Sequence, residues 1–156
     1  MLYLSLKTLH VLGVVLFLGN ILTGVFWKGH ADRSGALPVR AQVLAGIIRS
    51  DRLFTLPTVA LIIATGLGAA WMTGMPVLRT FWIAAGLGLF LLAGMIFSMR
   101  VGPLQKKLLA NVEAGIAGNW DRAGYEDLSR RWLSWGWAAI GAPVIVVFLM
   151  VFKPTF

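Results

Sequence analysis

The chain has 156 residues, of which 58% are hydrophobic, and a formal net charge of +8. Soluble domains average about 45–50% apolar residues, so this composition, with a mean hydropathy of +0.81, is typical of a protein embedded in a membrane. The length suits a single integral membrane domain over residues 1–156. Because the chain has no cysteine, disulfides and cysteine-ligated zinc or iron–sulfur sites are excluded.

Four apolar stretches are long enough to cross a bilayer core, which takes about 20 helical residues. The first, residues 3–27, carries Lys7 where the apolar centre of a signal peptide would begin, and no small-residue cleavage site follows, so we expect it to be retained. The other stretches are residues 53–72, 80–99 and 133–152. The sequence therefore predicts an all-α fold, an antiparallel bundle of four transmembrane helices.

The segments between these spans differ in length and character. Residues 73–79 form a short turn with glycine and proline, which predicts that spans two and three are a helical hairpin. Residues 38–48 are compatible with a short helix in the membrane interface, an extension of the next span, or a solvated loop. Residues 104–116 and 120–132 indicate two further helical segments, the second of which leads into span four.

The basic residues are divided unequally between the two sides of the predicted bundle. Residues 28–52 carry five and residues 100–131 carry six of the fourteen Lys and Arg residues. The positive-inside rule therefore places both segments, with their short interfacial helices, in the cytoplasm, and both termini in the periplasm, of a bacterial inner membrane. Anionic lipid explains the positive charge, and without a recognised binding motif we expect no nucleic-acid binding.

One face of the first span carries its polar side chains. On a helix that turns about 100° per residue, five residues fall within roughly an 80° arc: His10, Gly13, Phe17, Asn20 and Gly24. An imidazole or amide in hydrocarbon costs several kcal/mol unless it finds a partner, so this face should point into the protein. The glycines on it would leave room for a flat ligand, such as a porphyrin or a quinone-like molecule.

Further candidate residues gather where the termini emerge. His10 lies roughly two turns inside the first span, where an imidazole can serve as a haem ligand, a copper ligand or a proton carrier. Cations at the same end can meet haem propionates or another anionic headgroup, and methionines can offer a soft sulfur to iron or copper. These neighbours of His10 are Lys7, Arg79, Lys153, Met72 and Met75, and Asn20 lies on the same helix face.

Each candidate also has a structural interpretation. His10 could bond a carbonyl of a neighbouring helix, the methionines could be packing, and Lys7 could snorkel to the headgroups. His30 lies about 30 Å from His10 along a helix, and we expect it to be a solvated loop residue. The spans contain no carboxylate, and the sequence lacks nucleotide-binding and hydrolase motifs, which argues against a proton-pumping relay and against hydrolysis in the membrane.

Three short motifs resemble a family of predicted bacterial integral membrane proteins of unknown function. They are Leu-Lys-Thr-Leu-His-Val-Leu-Gly at residues 6–13, Asp-Arg-Leu-Phe-Thr-Leu-Pro at residues 51–57 and Met-Val-Phe-Lys-Pro at residues 150–154. More distantly, the layout is similar to the HemJ-type protoporphyrinogen oxidases, which are haem-associated and have a functional first-span histidine. That resemblance implies haem binding at His10. The lysine which that family has early in span three is missing from residues 80–83, which argues against the oxidase activity and leaves haem binding open.

The sequence leaves three functional hypotheses. The leading one is an inner-membrane protein that binds haem b near the periplasmic face through His10, with a role in electron transfer or porphyrin-related redox chemistry. The second is a non-enzymatic scaffold or assembly factor that forms homo-oligomers through its small-residue faces. The third is a copper-handling membrane protein that uses His10 and Met72.

Overall fold

The computed structural model describes residues 1–154, which form six α-helices and no strand. The helices are α1 (Leu2–Ser34), α2 (Leu37–Ser50), α3 (Leu56–Met72), α4 (Phe81–Ile96), α5 (Gly102–Ile116) and α6 (Arg122–Phe152). Two π-helical turns, Asp51–Thr55 and Phe97–Val101, join α2 to α3 and α4 to α5 without a break. The result is four long helices that we call rods, each long and apolar enough to span a membrane: Leu2–Ser34, Leu37–Met72, Phe81–Ile116 and Arg122–Phe152. The predicted all-α, four-span fold is confirmed, and the chain is an integral, multi-pass membrane protein in contact with the lipid bilayer.

Each π turn comes just before a proline. Pro57 and Pro103 each lie two positions beyond the last residue of a π turn. A proline cannot donate the usual bond to the preceding turn, and its ring crowds the carbonyl four residues earlier. A wider π turn accommodates that crowding without ending the helix. Residues 38–48 and 104–116 therefore extend the spans along the same rods, which settles the open interpretation of residues 38–48.

The rods reach well beyond the membrane. A helix of 36 residues measures about 54 Å, whereas the hydrocarbon core of a bilayer is about 30 Å thick. The two long segments between the predicted spans, residues 28–52 and 100–131, are thus mostly helical. Their helices are interrupted only at residues 35–36 and 117–121. We call this polar, arginine-rich part of the molecule the basic end, and the opposite part, where residues 1 and 154 lie, the termini end.

A contiguous cluster of buried apolar residues lies at the basic end. Amphipathic faces of α2 and α5 pack there against each other, and α5 also packs against α6, because rods that leave the bilayer must bury their apolar faces from water. Inside the membrane that driving force is missing, since lipid tails are as apolar as the side chains. The core residues are Leu44, Val101, Leu108, Val112, Tyr125 and Trp132.

The membrane-embedded halves of the rods pack as two separate pairs. α3 lies against α1 and α4 lies against α6, whereas α3 and α4 make at most marginal contact within residues 1–154. The predicted hairpin of spans two and three is therefore antiparallel, but its legs stand apart in the membrane. Their extensions α2 and α5 pack against each other at the basic end. Between the two pairs lies a cavity of about 700 Å³.

Candidate functional site

This cavity, which we call the membrane cavity, extends from the termini end to the middle of the bundle. Its walls come from α1, α3, α4 and α6 and are mainly aliphatic. Towards the basic end, Phe17 and Phe90 meet across it with ring centres 5.4 Å apart. The polar side chains lie nearer the termini end: Tyr3, Lys7, His10, Thr73 and Lys153.

His10 forms part of the cavity wall and faces inward, as predicted. Its Nδ1 lies 2.9 Å from the main-chain oxygen of Ile62 and 3.3 Å from the hydroxyl oxygen of Thr65. A carbonyl oxygen only accepts hydrogen bonds, so Nδ1 of the neutral ring carries the proton and donates it to Ile62. Nε2 is then left with its lone pair, and within residues 1–154 it has no hydrogen-bond partner.

Glycines on α1 and α3 explain how the His10 imidazole packs between these two helices. A Cβ at Gly66 of α3 would lie only 3.0 Å from Cε1 and 3.2 Å from Nδ1 of His10, so a larger residue there would push the ring away by a few tenths of an ångström. A Cβ at Gly13 would lie 3.0 Å from the side chain of Ile62, and one at Gly24 would meet Ile47 at 3.7 Å. The glycines of α1 thus serve close helix packing, and the gap between the helix pairs provides the space for a ligand.

Two of the predicted cations border the membrane cavity. Lys7 of α1 and Lys153, which follows α6, both line it. The Nζ of Lys153 lies 5.5 Å from the centre of the Trp82 ring, in a cation–π contact. Lys153 has the left-handed conformation (φ 46°) that ends the helix, and its N–H bonds the oxygen of Leu149. These lysines put positive charge at the mouth of a largely apolar cavity.

Other predicted site residues lie elsewhere. Arg79 and Met72 are exposed and do not line the cavity, whereas Met75 does. Asn20 shares the inward face of α1 with His10 but lies nearer the basic end and also does not line the cavity. His30 is exposed as expected, but it belongs to a helix and not to a loop, because α1 continues past it.

Asn20 instead belongs to a buried polar network that the sequence analysis missed. Its Nδ2 donates to Thr55 at 2.9 Å and, at 3.4 Å, to the carboxylate of Asp51. Asp51 also accepts hydrogen bonds from Thr55 at 2.9 Å and from Gln105 at 3.0 Å, and it is 8% exposed. The network connects α1, the first π turn and α5 near the base of the spans. A carboxylate directly before an apolar stretch was the signal that could have indicated it.

A second missed cluster surrounds Asp32 at the basic end. Its Oδ2 lies 2.6 Å from Nζ of Lys28, and its Oδ1 accepts a 2.5 Å hydrogen bond from the hydroxyl of Tyr125. Lys28, only 5% exposed, also donates to the hydroxyl of Ser129. Burial, together with the hydrogen bond to the Asp32 carboxylate, raises the pKa of Tyr125 above its ordinary value. The spacing of Lys28 and Asp32, four residues apart on a helix, was the available signal.

Comparison with known proteins places the chain in a family. Neither a curated protein nor a solved structure matches it. The family match covers residues 4–154, almost the whole chain, and confirms the first of the two resemblances seen in the sequence. The similarity to haem-associated oxidases stays a prediction. The chain belongs to the family described as predicted integral membrane protein (DUF2269).

Proposed function

We propose that the protein binds haem b in the membrane cavity, where Nε2 of His10 would hold the haem iron. The observation that carries this proposal is the hydrogen bond from Nδ1 to the main-chain oxygen of Ile62, 2.9 Å long, which in the neutral ring leaves the lone pair of Nε2 available to a metal. Metal-ligating histidines almost always donate their other ring N–H to a carbonyl, carboxylate or water in this way, which fixes the tautomer and the ring orientation.

The dimensions and lining of the cavity fit a flat, amphipathic cofactor. Its volume of about 700 Å³ lies within the range of about 300–1,000 Å³ found for ligand and cofactor sites. The aliphatic walls would cover the macrocycle and exclude water from it. Lys7 and Lys153 at the mouth would pair with the two propionates, since a lysine ammonium binds carboxylates as a point charge. When bound, haem would supply one-electron redox chemistry to the site.

The same geometry argues against two other ligands. A quinone carbonyl accepts hydrogen bonds, and the neutral His10 has no proton on Nε2 to donate to it. A copper site built from His10 and Met72 is disfavoured because Met72 lies outside the cavity lining. Haem iron, which accepts a lone pair, matches the free Nε2 better than a quinone does.

The orientation in the membrane follows from the distribution of charge. The positive-inside rule assigns the basic end, with eleven of the fourteen Lys and Arg residues (five plus six), to the cytoplasm of a bacterial inner membrane. The termini and the mouth of the membrane cavity then face the periplasm. Electron transfer with a periplasmic or membrane partner is the role that this placement supports.

Absorption spectroscopy of the protein purified in detergent tests the proposal. After expression with ample haem supply, the wild-type chain is expected to show a Soret band, and His10→Ala is expected to lose it. His30→Ala is the matched control, because His30 is an exposed histidine of the same helix and should leave the band unchanged. A colourless wild-type protein, or a band that survives His10→Ala, would overturn haem ligation and favour the scaffold hypothesis.

A further inference from the structure

A second cavity, of about 660 Å³, lies at the basic end, and we call it the basic cavity. It is bounded by the link between α1 and α2 on one side and by the first turns of α6 on the other. Asp32, Arg40 and Tyr125 form its inner wall, the Trp120 ring forms another side, and Arg130 is at its rim. It shares no lining residue with the membrane cavity.

Arg40 is the central cation of the basic cavity. Its guanidinium carbon lies 5.0 Å from the centre of the Tyr125 ring and 5.7 Å from that of Trp120, so two aromatic rings hold the group in place. Its Nη2 donates to the main-chain oxygen of Asp32 at 2.9 Å. Its Nε is buried without a hydrogen-bond partner within residues 1–154, since the nearest Asp32 carboxylate oxygen is 3.8 Å away. A guanidinium has five N–H donors, so most of them are unused.

The inner part of the basic cavity has an excess of positive charge. The only carboxylate there within residues 1–154 is that of Asp32, which is already shared between Lys28 at 2.6 Å and the hydroxyl of Tyr125 at 2.5 Å. Lys28 and Arg40 are 6% and 16% exposed at the side chain, so two largely buried cations face one carboxylate. A buried charge that is not balanced is costly, so this arrangement favours an anion beside Arg40.

The rim adds further positive charge. Glu126 is paired with Arg122 at 2.9 Å, so these two charges cancel. Arg130 is 80% exposed, and within residues 1–154 it is held only by a long contact of 3.7 Å to Asp127, which lies outside the cavity lining. Arg130 is therefore free to turn towards a ligand that enters from solution.

We propose that the basic cavity binds a phosphate-bearing ligand. Its phosphate would lie against Arg40, because the planar fork of N–H donors in a guanidinium matches phosphate oxygens in pairs. Arg130 would close on the ligand from the rim, and the Trp120 ring offers a flat wall to the rest of the ligand. The phosphate can belong to a soluble metabolite or to the headgroup of a phospholipid in the adjacent leaflet.

Titration calorimetry on the full-length protein in a neutral detergent, with inorganic pyrophosphate as the probe, tests the soluble source. We expect saturable binding that Arg40→Gln weakens about tenfold, as for the loss of one charge-assisted hydrogen bond. Arg130→Gln should weaken it roughly threefold, as for an exposed charge. Lys107→Gln is the control, because Lys107 is exposed on α5 and does not line the cavity.

The lipid source is tested by thermal unfolding in nanodiscs of phosphatidylcholine with and without phosphatidylglycerol. If the headgroup is the ligand, phosphatidylglycerol raises the Tm of the wild type and of Lys107→Gln but not of Arg40→Gln. No saturable response to either probe, or equal weakening by Lys107→Gln, would overturn the proposal. Arg130→Gln keeps the test decisive if Arg40→Gln fails to fold. The Soret band should be the same in all three variants, so this proposal and the haem proposal fail independently.

Discussion

Replacing Asp32 with asparagine tests whether the ionic cluster holds the basic end together. The carboxylate lies 2.6 Å from Nζ of Lys28 and accepts the 2.5 Å hydrogen bond from Tyr125. Asp32→Asn removes the negative charge and leaves Lys28, at 5% exposure, as a buried cation beside Ser129 and two aromatic rings. Breaking a buried ion pair in this way costs about 3–5 kcal/mol. We expect a loss of about 3 kcal/mol, at the low end of that range, because the Asp32 side chain is itself 28% exposed.

Equilibrium unfolding in detergent micelles measures this loss in free energy. The double variant Asp32→Asn with Lys28→Met should recover a large part of it, because the uncompensated charge is then gone. Glu126→Gln, in the exposed pair with Arg122, is the control and should leave the unfolding midpoint unchanged. The reasoning is refuted if Asp32→Asn behaves like this control, or if removing Lys28 as well makes the protein less stable still.

Three further predictions concern the core, the histidine and pH. Leu108→Ala, at a fully buried position, should lower the free energy of unfolding by about 2–5 kcal/mol. Leu16→Ala, on the lipid-facing side of α1, should lower it far less. Equal losses in the two variants would show that Leu108 does not belong to the core. Gly66→Ala should displace the His10 ring from its position against α3 and reduce the haem content of the purified protein. An unchanged haem content would contradict the contact between the His10 ring and Gly66. Because the pKa of Tyr125 is raised in the folded state, the unfolded chain loses this proton first, and stability should fall as the pH rises above about 10. Unfolding midpoints measured against pH should show a shallower fall for Tyr125→Phe; an identical slope would remove Tyr125 from the explanation.

The spans could be predicted from sequence because the thickness of the bilayer requires about 20 consecutive, mainly apolar residues in each helix that crosses it. The predicted ends at residues 72 and 152 agree with α3 and α6, which end at Met72 and Phe152. The choice of partners between spans could not be predicted in the same way. Within lipid all apolar faces are nearly equivalent, so hydropathy does not reveal that α3 packs on α1 and that α4 packs on α6. The sequence therefore predicted space for a ligand beside the glycines of α1, but not the gap between the two helix pairs that provides it.

For the polar residues of α1, the sequence predicted which way the side chains face but not how far along the helix axis each one lies. Helical periodicity correctly predicted that His10 and Asn20 face the inside of the bundle. Both face inward because each needs a polar partner. Periodicity says nothing about position along the axis, where ten residues separate them by about 15 Å. They consequently meet different neighbours, His10 the carbonyl of Ile62 and Asn20 the buried network around Asp51. The partners of both residues are more than 30 positions away in sequence, which no local pattern can indicate.

The proposed ligation of haem by Nε2 of His10 can be tested by ligand rescue. His10→Gly removes the imidazole and leaves space for a small replacement beside Ile62 and Thr65. With haem added to the purified variant, the Soret band of the wild type should be absent and should return when free imidazole is supplied. A variant that shows the wild-type spectrum without imidazole, or that imidazole cannot restore, would contradict ligation by His10.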